Sequence, residues 1–193
     1  SSGSVLSGFR MSAPAGAKAV SIASTLMQEG NLTEAQVKEI LGLTGVDNIL
    51  EYRPYSLGDD ATDAEKLLAA KVESVSQQVG VLLNPLTSSA EGAGMSADAA
   101  FGVALAAVTE VVVAESLKDV AEQNFNLSSS AVDGVLAAVS AKVKTSIESA
   151  AVLDDSISVS AFEAVQDSII SAIANVNAEI ATIIDISDTG SDS

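Results

Sequence analysis

Between Thr62 and Ile184 the apolar residues recur three and four positions apart, a spacing that lines one side of a helix and cannot line one face of a strand. Leu67, Leu68, Val72, Val75, Val79 and Leu82 form a first stripe. Ala100, Val103, Ala104, Ala107, Val108, Val111, Val112, Leu117 and Val120 form a second. Val132, Val135, Leu136, Val139, Val143 and Ile147 form a third, and Val165, Ile169, Ile173, Val176, Ile180, Ile183 and Ile184 a fourth. So much valine favours strand by propensity, but strands need a period of two, so the period decides.

The punctuation agrees with helices. Thr62-Asp63-Ala64-Glu65 and Ser160-Ala161-Phe162-Glu163 are capping-box patterns, and Ser96 with Asp98 behind it suits a third helix start. Pro85 predicts the end of the first long helix, with a Ser/Gly-rich loop from Ser88 to Gly94. The second helix extends to Gln123, and Asn126 to Ser130 breaks the pattern. The prediction is an all-α fold, a four-helix-bundle-like array of long amphipathic helices over residues 63–184.

A smaller helical part precedes it over residues 19–57. Ala19 to Gln28 has helical spacing closed by Gly30-Asn31, and Thr33-Glu34-Ala35-Gln36 opens a second helix running to Leu41. A turn of helix from Asp47 to Glu51 stops before Pro54, since the residue preceding proline is pushed out of the α region. Residues 1–18, ending in Ala13-Pro14-Ala15-Gly16, read as a leading arm or short strand. The domain is therefore 19–184, with 185–193 an acidic linker. Ser1-Ser2-Gly3-Ser4, with no initiator Met, reads as the start of an excised fragment or of a processed or tagged chain.

Charge and composition limit the chemistry. Nine Lys and Arg against 26 Asp and Glu give a net charge of −17, yet 48% of residues are hydrophobic and mean hydropathy is +0.37, enough to fill a core. Aromatics are only 3%, so Ala, Val, Leu and Ile must build it. The absence of His and Cys removes the commonest general base, the thiolate nucleophile and Cys/His zinc sites. The negative charge excludes nucleic acid. The apolar runs Phe101–Thr109 and Val111–Ala114 are split by Glu110, which predicts no membrane span. No Lys or Arg follows Lys144, so the last quarter repels itself unless salt screens it, which suits a saline exterior.

Three acidic groups have oxygen ligands for a hard cation such as calcium. Asp59, Asp60 and Asp63, in the turn Gly58–Asp63, are the metal candidates, although capping and the helix dipole account for the same residues. Asp154-Asp155-Ser156 with Glu163 lacks the glycine and terminal glutamate of an EF-hand and reads as a helix-connecting loop. Asp185, Asp188 and Asp192 read as linker. No catalytic residue and no cofactor site emerges: Glu110 and Glu115 have no Glu-x-x-His partner helix, and the Ser and Thr residues have no base to activate them. Tyr52, Arg53 and Tyr55 around Pro54 read as residues pinning a loop, with a small recognition patch as the other reading.

The stretch from Ser12 to Met27, then Leu32-Thr33-Glu34-Ala35-Gln36, Ile40-Leu41-Gly42-Leu43, Asn48 to Tyr55 and Gly58-Asp59-Asp60, resembles a helical module of large bacterial extracellular adhesin-like surface proteins with cadherin-like, calcium-binding repeats. Ile22 and Arg53 stand where that module has Pro and Asp. The resemblance implies a non-enzymatic extracellular structural or interaction module involved in cell attachment, on the bacterial surface, beside neighbouring domains and in contact with other surface proteins or glycans. A bundle binding an apolar small molecule or peptide between its Ala-rich helices is the alternative.

Overall fold

The structure, a computed structural model, describes residues 13–15, 21–30, 32–41, 43, 45–51, 61–116, 118, 127–131 and 134–189. Among them are six helices and no strand: α1 (Ile22–Gly30), α2 (Glu34–Ile40), α3 (Asp63–Gly92), α4 (Ala97–Ser116), α5 (Val135–Ala151) and α6 (Val159–Thr189). The leading arm, apart from Ala13–Ala15, lies outside the described residues, as do Leu117 and Val120 of the second stripe and Val132 of the third. The chain is an all-α bundle in which α3 packs on α4 and α6, and α5 on the same two.

The helix starts follow from hydroxyl chemistry. The Thr33 hydroxyl accepts the Gln36 amide while the Gln36 side chain accepts the Thr33 amide, and Thr62 and Glu65 do the same at α3. Ser21 and Ser24 exchange the equivalent pair of bonds at α1, and the Ser96 hydroxyl accepts the Ala99 amide at 3.4 Å. At α6 the start predicted at Ser160 lies two residues late. Ser158 caps it, accepting the Ala161 amide at 3.3 Å, and Glu163 turns to Lys144 of α5 at 2.6 Å. The helix end is corrected too. Nothing before Gly190 forbids helix, and α6 continues past residue 185 through Thr189 instead of giving way to linker.

Pro85 does not end α3, and the loop predicted over Ser88 to Gly94 is helical through Gly92. A proline inside a helix costs about 3 kcal/mol, but Leu82, Leu83, Leu86 and Ala90 around it are fully buried. Each large side chain buried this way contributes about 1.5–3 kcal/mol, which outweighs one lost bond and one ring clash. The helix stops instead at Gly94, whose φ of +105° lets the Met95 amide reach back to the Ala90 carbonyl at 3.1 Å and the Gly94 amide to Glu91 at 2.9 Å.

These turns set the topology. The Ser158 amide donates to the Ala93 carbonyl at 2.7 Å, so the α3–α4 and α5–α6 turns sit together at one end of the bundle. Further along, the Gln78 side chain donates to the Asn177 carbonyl at 3.3 Å, so α3 and α6 run antiparallel. The start of α3 and the end of α6 therefore share the opposite end. The smaller helices α1 and α2 pack on α4, tied to the following loop by the Glu34 carboxylate, which accepts the Ile49 amide at 2.8 Å.

Two stripes differ from the sequence reading. α4 is apolar nearly all round because α1, α2, α3 and α5 all pack against it, and over Ala97–Glu115 it is long and apolar enough to cross a membrane by length and composition. The expectation that no segment reaches that length is thus corrected: Asp98, Glu110 and Glu115 interrupt the run without shortening the helix. Half of that window is buried inside the bundle. On α6 the inward face is Phe162, Ile170, Ile173, Ala174 and Asn177, while Val165 and Val176 are 40% and 42% exposed. The buried amide of Asn177 belongs to the inward face, and a stripe traced through apolar residues alone passes it by.

Candidate functional site

Of the three metal candidates, Asp59 and Asp60 lie outside the described residues, as do Tyr52, Arg53 and Tyr55. Asp63 is exposed in the first turn of α3, 3.6 Å from the Lys66 ammonium. Among the described residues no three acidic side chains converge as a cation site would require. The second acidic group is a turn. Asp154 accepts the Ser156 hydroxyl at 2.7 Å and the Ser156 amide at 2.9 Å, which hold its carboxyl below the usual range in that order of strength. The Thr62 hydroxyl and then its amide depress Glu65 in the same way, and Glu163 raises the Lys144 ammonium.

Glu110 and Glu115 turn to lysines rather than to each other. Glu110 pairs with Lys142 of α5 at 2.8 Å, and Glu115, nearly buried, with Lys118. Both pairs rim a cleft of about 760 Å³ between α4 and α5. Its floor follows from sequence. The outward face of α4 steps by four residues through Gly102, Ala106, Glu110 and Ala114, so three of four positions there carry no side chain beyond a methyl group. Ala138 of α5 faces them across the cleft.

No family model matches the chain, and no curated protein or solved structure matches it either.

The sequence allows an apolar site between Ala-rich helices but does not place it, because an α-helix that is apolar all round shows no face from its periodicity. The signal was the four-residue step of Gly and Ala punctuated by one Glu. One further group matters: Thr109 lines the cleft, is 7% exposed, and its hydroxyl has no hydrogen-bond partner.

The far tip of the bundle carries a second feature. In the α5–α6 turn Val152 and Leu153 are 83% and 90% exposed, the most exposed large apolar side chains among the described residues. The hydrogen bonds around Asp154, together with Ser158 donating to Ala93, fix the turn that presents them.

Proposed function

We propose that this chain is a non-enzymatic helical interaction module of a large bacterial surface protein, presented outside the cell and used in attachment, contacting other surface proteins or glycans. The observation that carries it is the placement of Val152 and Leu153. They sit at the end of the bundle opposite to the start of α3 and the end of α6, exposed on a turn that its own hydrogen bonds hold in place. The net charge of −17 and the resemblance to adhesin-like modules support a saline, extracellular setting.

Beads coated with the protein and driven over glycan-coated or protein-coated surfaces in 0.5 M salt test the reading. The double variant Val152→Ser, Leu153→Ser is expected to lose several-fold in retention while its Tm stays within about 2 °C, since solvent-facing substitutions change stability little. Equal retention of wild-type and uncoated beads rejects attachment, and equal retention of both variants rejects the tip. Calcium enters as a screening ion. Calcium chloride and sodium chloride at matched ionic strength should raise Tm equally, and any excess with calcium shows a specific site.

A second reading, an apolar molecule held between helices, is favoured by the cleft between α4 and α5.

A further inference from the structure

We infer that the α4–α5 cleft binds a neutral, single-chain amphiphile, its apolar tail on the Gly/Ala floor of α4 and its polar group hydrogen-bonded to the Thr109 hydroxyl. The inference rests on the second reading above, and it adds the chemical class and the anchoring group. Three observations lead to it.

The first is size and surface. A volume of about 760 Å³ lies within the 300–1,000 Å³ of ordinary ligand clefts. The floor is exposed yet apolar, because Gly102, Ala106 and Ala114 stand where a solvated helix face would carry long polar side chains. Smallness alone would mean little; together with the cleft's volume it leaves an apolar surface on which a hydrocarbon chain can lie.

The second is Thr109. A hydroxyl that is buried and unpartnered costs about 1–3 kcal/mol, and helical threonines usually avoid the cost by bonding a carbonyl in the preceding turn. This one makes no such bond. Less than 1 Å² of its oxygen is exposed, so the side chain must turn about χ1 to present it to the cleft, and a ligand hydroxyl or carbonyl that meets it there recovers that cost, a gain no purely apolar ligand offers.

The third is charge. Every charged group at the rim is matched by its opposite: Glu110 with Lys142, and Glu115 with Lys118. A carboxylate or phosphate headgroup would have to take a lysine from its glutamate in a chain of net charge −17, and an ammonium headgroup would have to take a glutamate from its lysine. A neutral headgroup disturbs neither pair.

The test uses the whole chain, with the neutral fluorophore N-phenyl-1-naphthylamine as reporter and decanol, decanoate and decylammonium as competitors below their aggregation limits. Decanol is expected to displace the reporter at concentrations at least about tenfold lower than either ion. Thr109→Val should weaken decanol about five- to tenfold while leaving the reporter bound and Tm unchanged or higher, since the replacement removes an unpaired hydroxyl. A purely structural role for Thr109 predicts no such split. Ala106→Phe, on an exposed position, should abolish binding of both without unfolding the protein. Equal displacement by all three amphiphiles, or an unchanged decanol affinity in Thr109→Val, overturns the inference while keeping the cleft as an apolar site. No reporter binding, or binding indifferent to Ala106→Phe, overturns the small-molecule reading itself and leaves attachment through the tip unaffected.

Discussion

Replacing Asn177 with aspartate, an exchange of nearly equal shape, is expected to leave the fold close to wild-type stability below about pH 4 and to destabilise it by about 3–4 kcal/mol at pH 7. Asn177 is fully buried on α6, where its amide nitrogen donates to the Leu127 carbonyl at 3.0 Å and to the Gln78 carbonyl at 3.5 Å. A carboxylate in its place faces two carbonyl oxygens with no proton to offer, in a fully buried site, so it must stay protonated or be expelled. The sign follows. A folded-state pKa raised above the unfolded value of about 3.9 means stability is intact below that value and falls as pH rises, by about 1.4 kcal/mol per pH unit, until the folded pKa is reached. Three units from pH 4 to pH 7 give the upper figure. Urea titrations at pH 4, 5.5 and 7 measure it, with Asn177→Leu as the companion variant. The leucine abandons the Leu127 carbonyl but adds apolar burial, so its cost should be near 1 kcal/mol and flat with pH. A flat profile for the aspartate variant would show that the site is wet and that the amide does not lock α6 against α3.

That lock was invisible in the sequence for a reason that recurs in this chain. The helices and their caps were legible because period and hydroxyl chemistry are local: Thr33, Thr62 and Ser96 act where the sequence places them. The phase of a stripe is tertiary. Val165 and Val176 look as good as Phe162 and Ile170 until α3 and α5 choose the face, and Asn177 is accepted inside only because a loop carbonyl and a helix carbonyl meet it. Pro85 errs in the same direction, since its local penalty is real but smaller than the burial of its neighbours.

The candidate sites were less legible than the fold. The acidic groups that attract attention in a sequence are here caps, turns and ion pairs: Asp63 with Lys66, Asp154 with Ser156, Glu163 with Lys144. The features that could bind something are apolar and owe their character to exposure. Alanine at 106 or leucine at 153 means nothing special in a list of residues; it acquires meaning when the first floors a cleft and the second caps a tip. A chain without histidine or cysteine offers few chemical landmarks, and its functional surface must be sought in shape.

Gly94→Ala is the variant expected to disturb that shape most from a distance. At φ +105° an L-residue is strained by about 1–2 kcal/mol, and the new Cβ would lie 2.7 Å from the Ser156 carbonyl oxygen and 3.3 Å from the Ile157 Cα. The loop cannot simply retreat. Ser156 is held by the Asp154 carboxylate and Ser158 by the Ala93 carbonyl, so relief on one side breaks a bond on the other. Adding an overpacking cost of about 1–3 kcal/mol gives a loss of about 2–5 kcal/mol, or roughly 4–20 °C in Tm for a domain of this size. Gly92→Ala, two residues earlier, is the control: its Cβ meets nothing within 4 Å and its backbone is helical, so it should stabilise by about 0.5–1 kcal/mol. Opposite signs from two neighbouring glycines would show that backbone geometry and the docked turn, not a general need for small residues, govern this end of the bundle. The same docking joins the α3–α4 turn to the α5–α6 turn and so sets how far α4 stands from α5. Gly94→Ala should therefore weaken binding in the cleft even at temperatures where the variant is fully folded, and unchanged affinity there would mean that the cleft width is set by the helices alone.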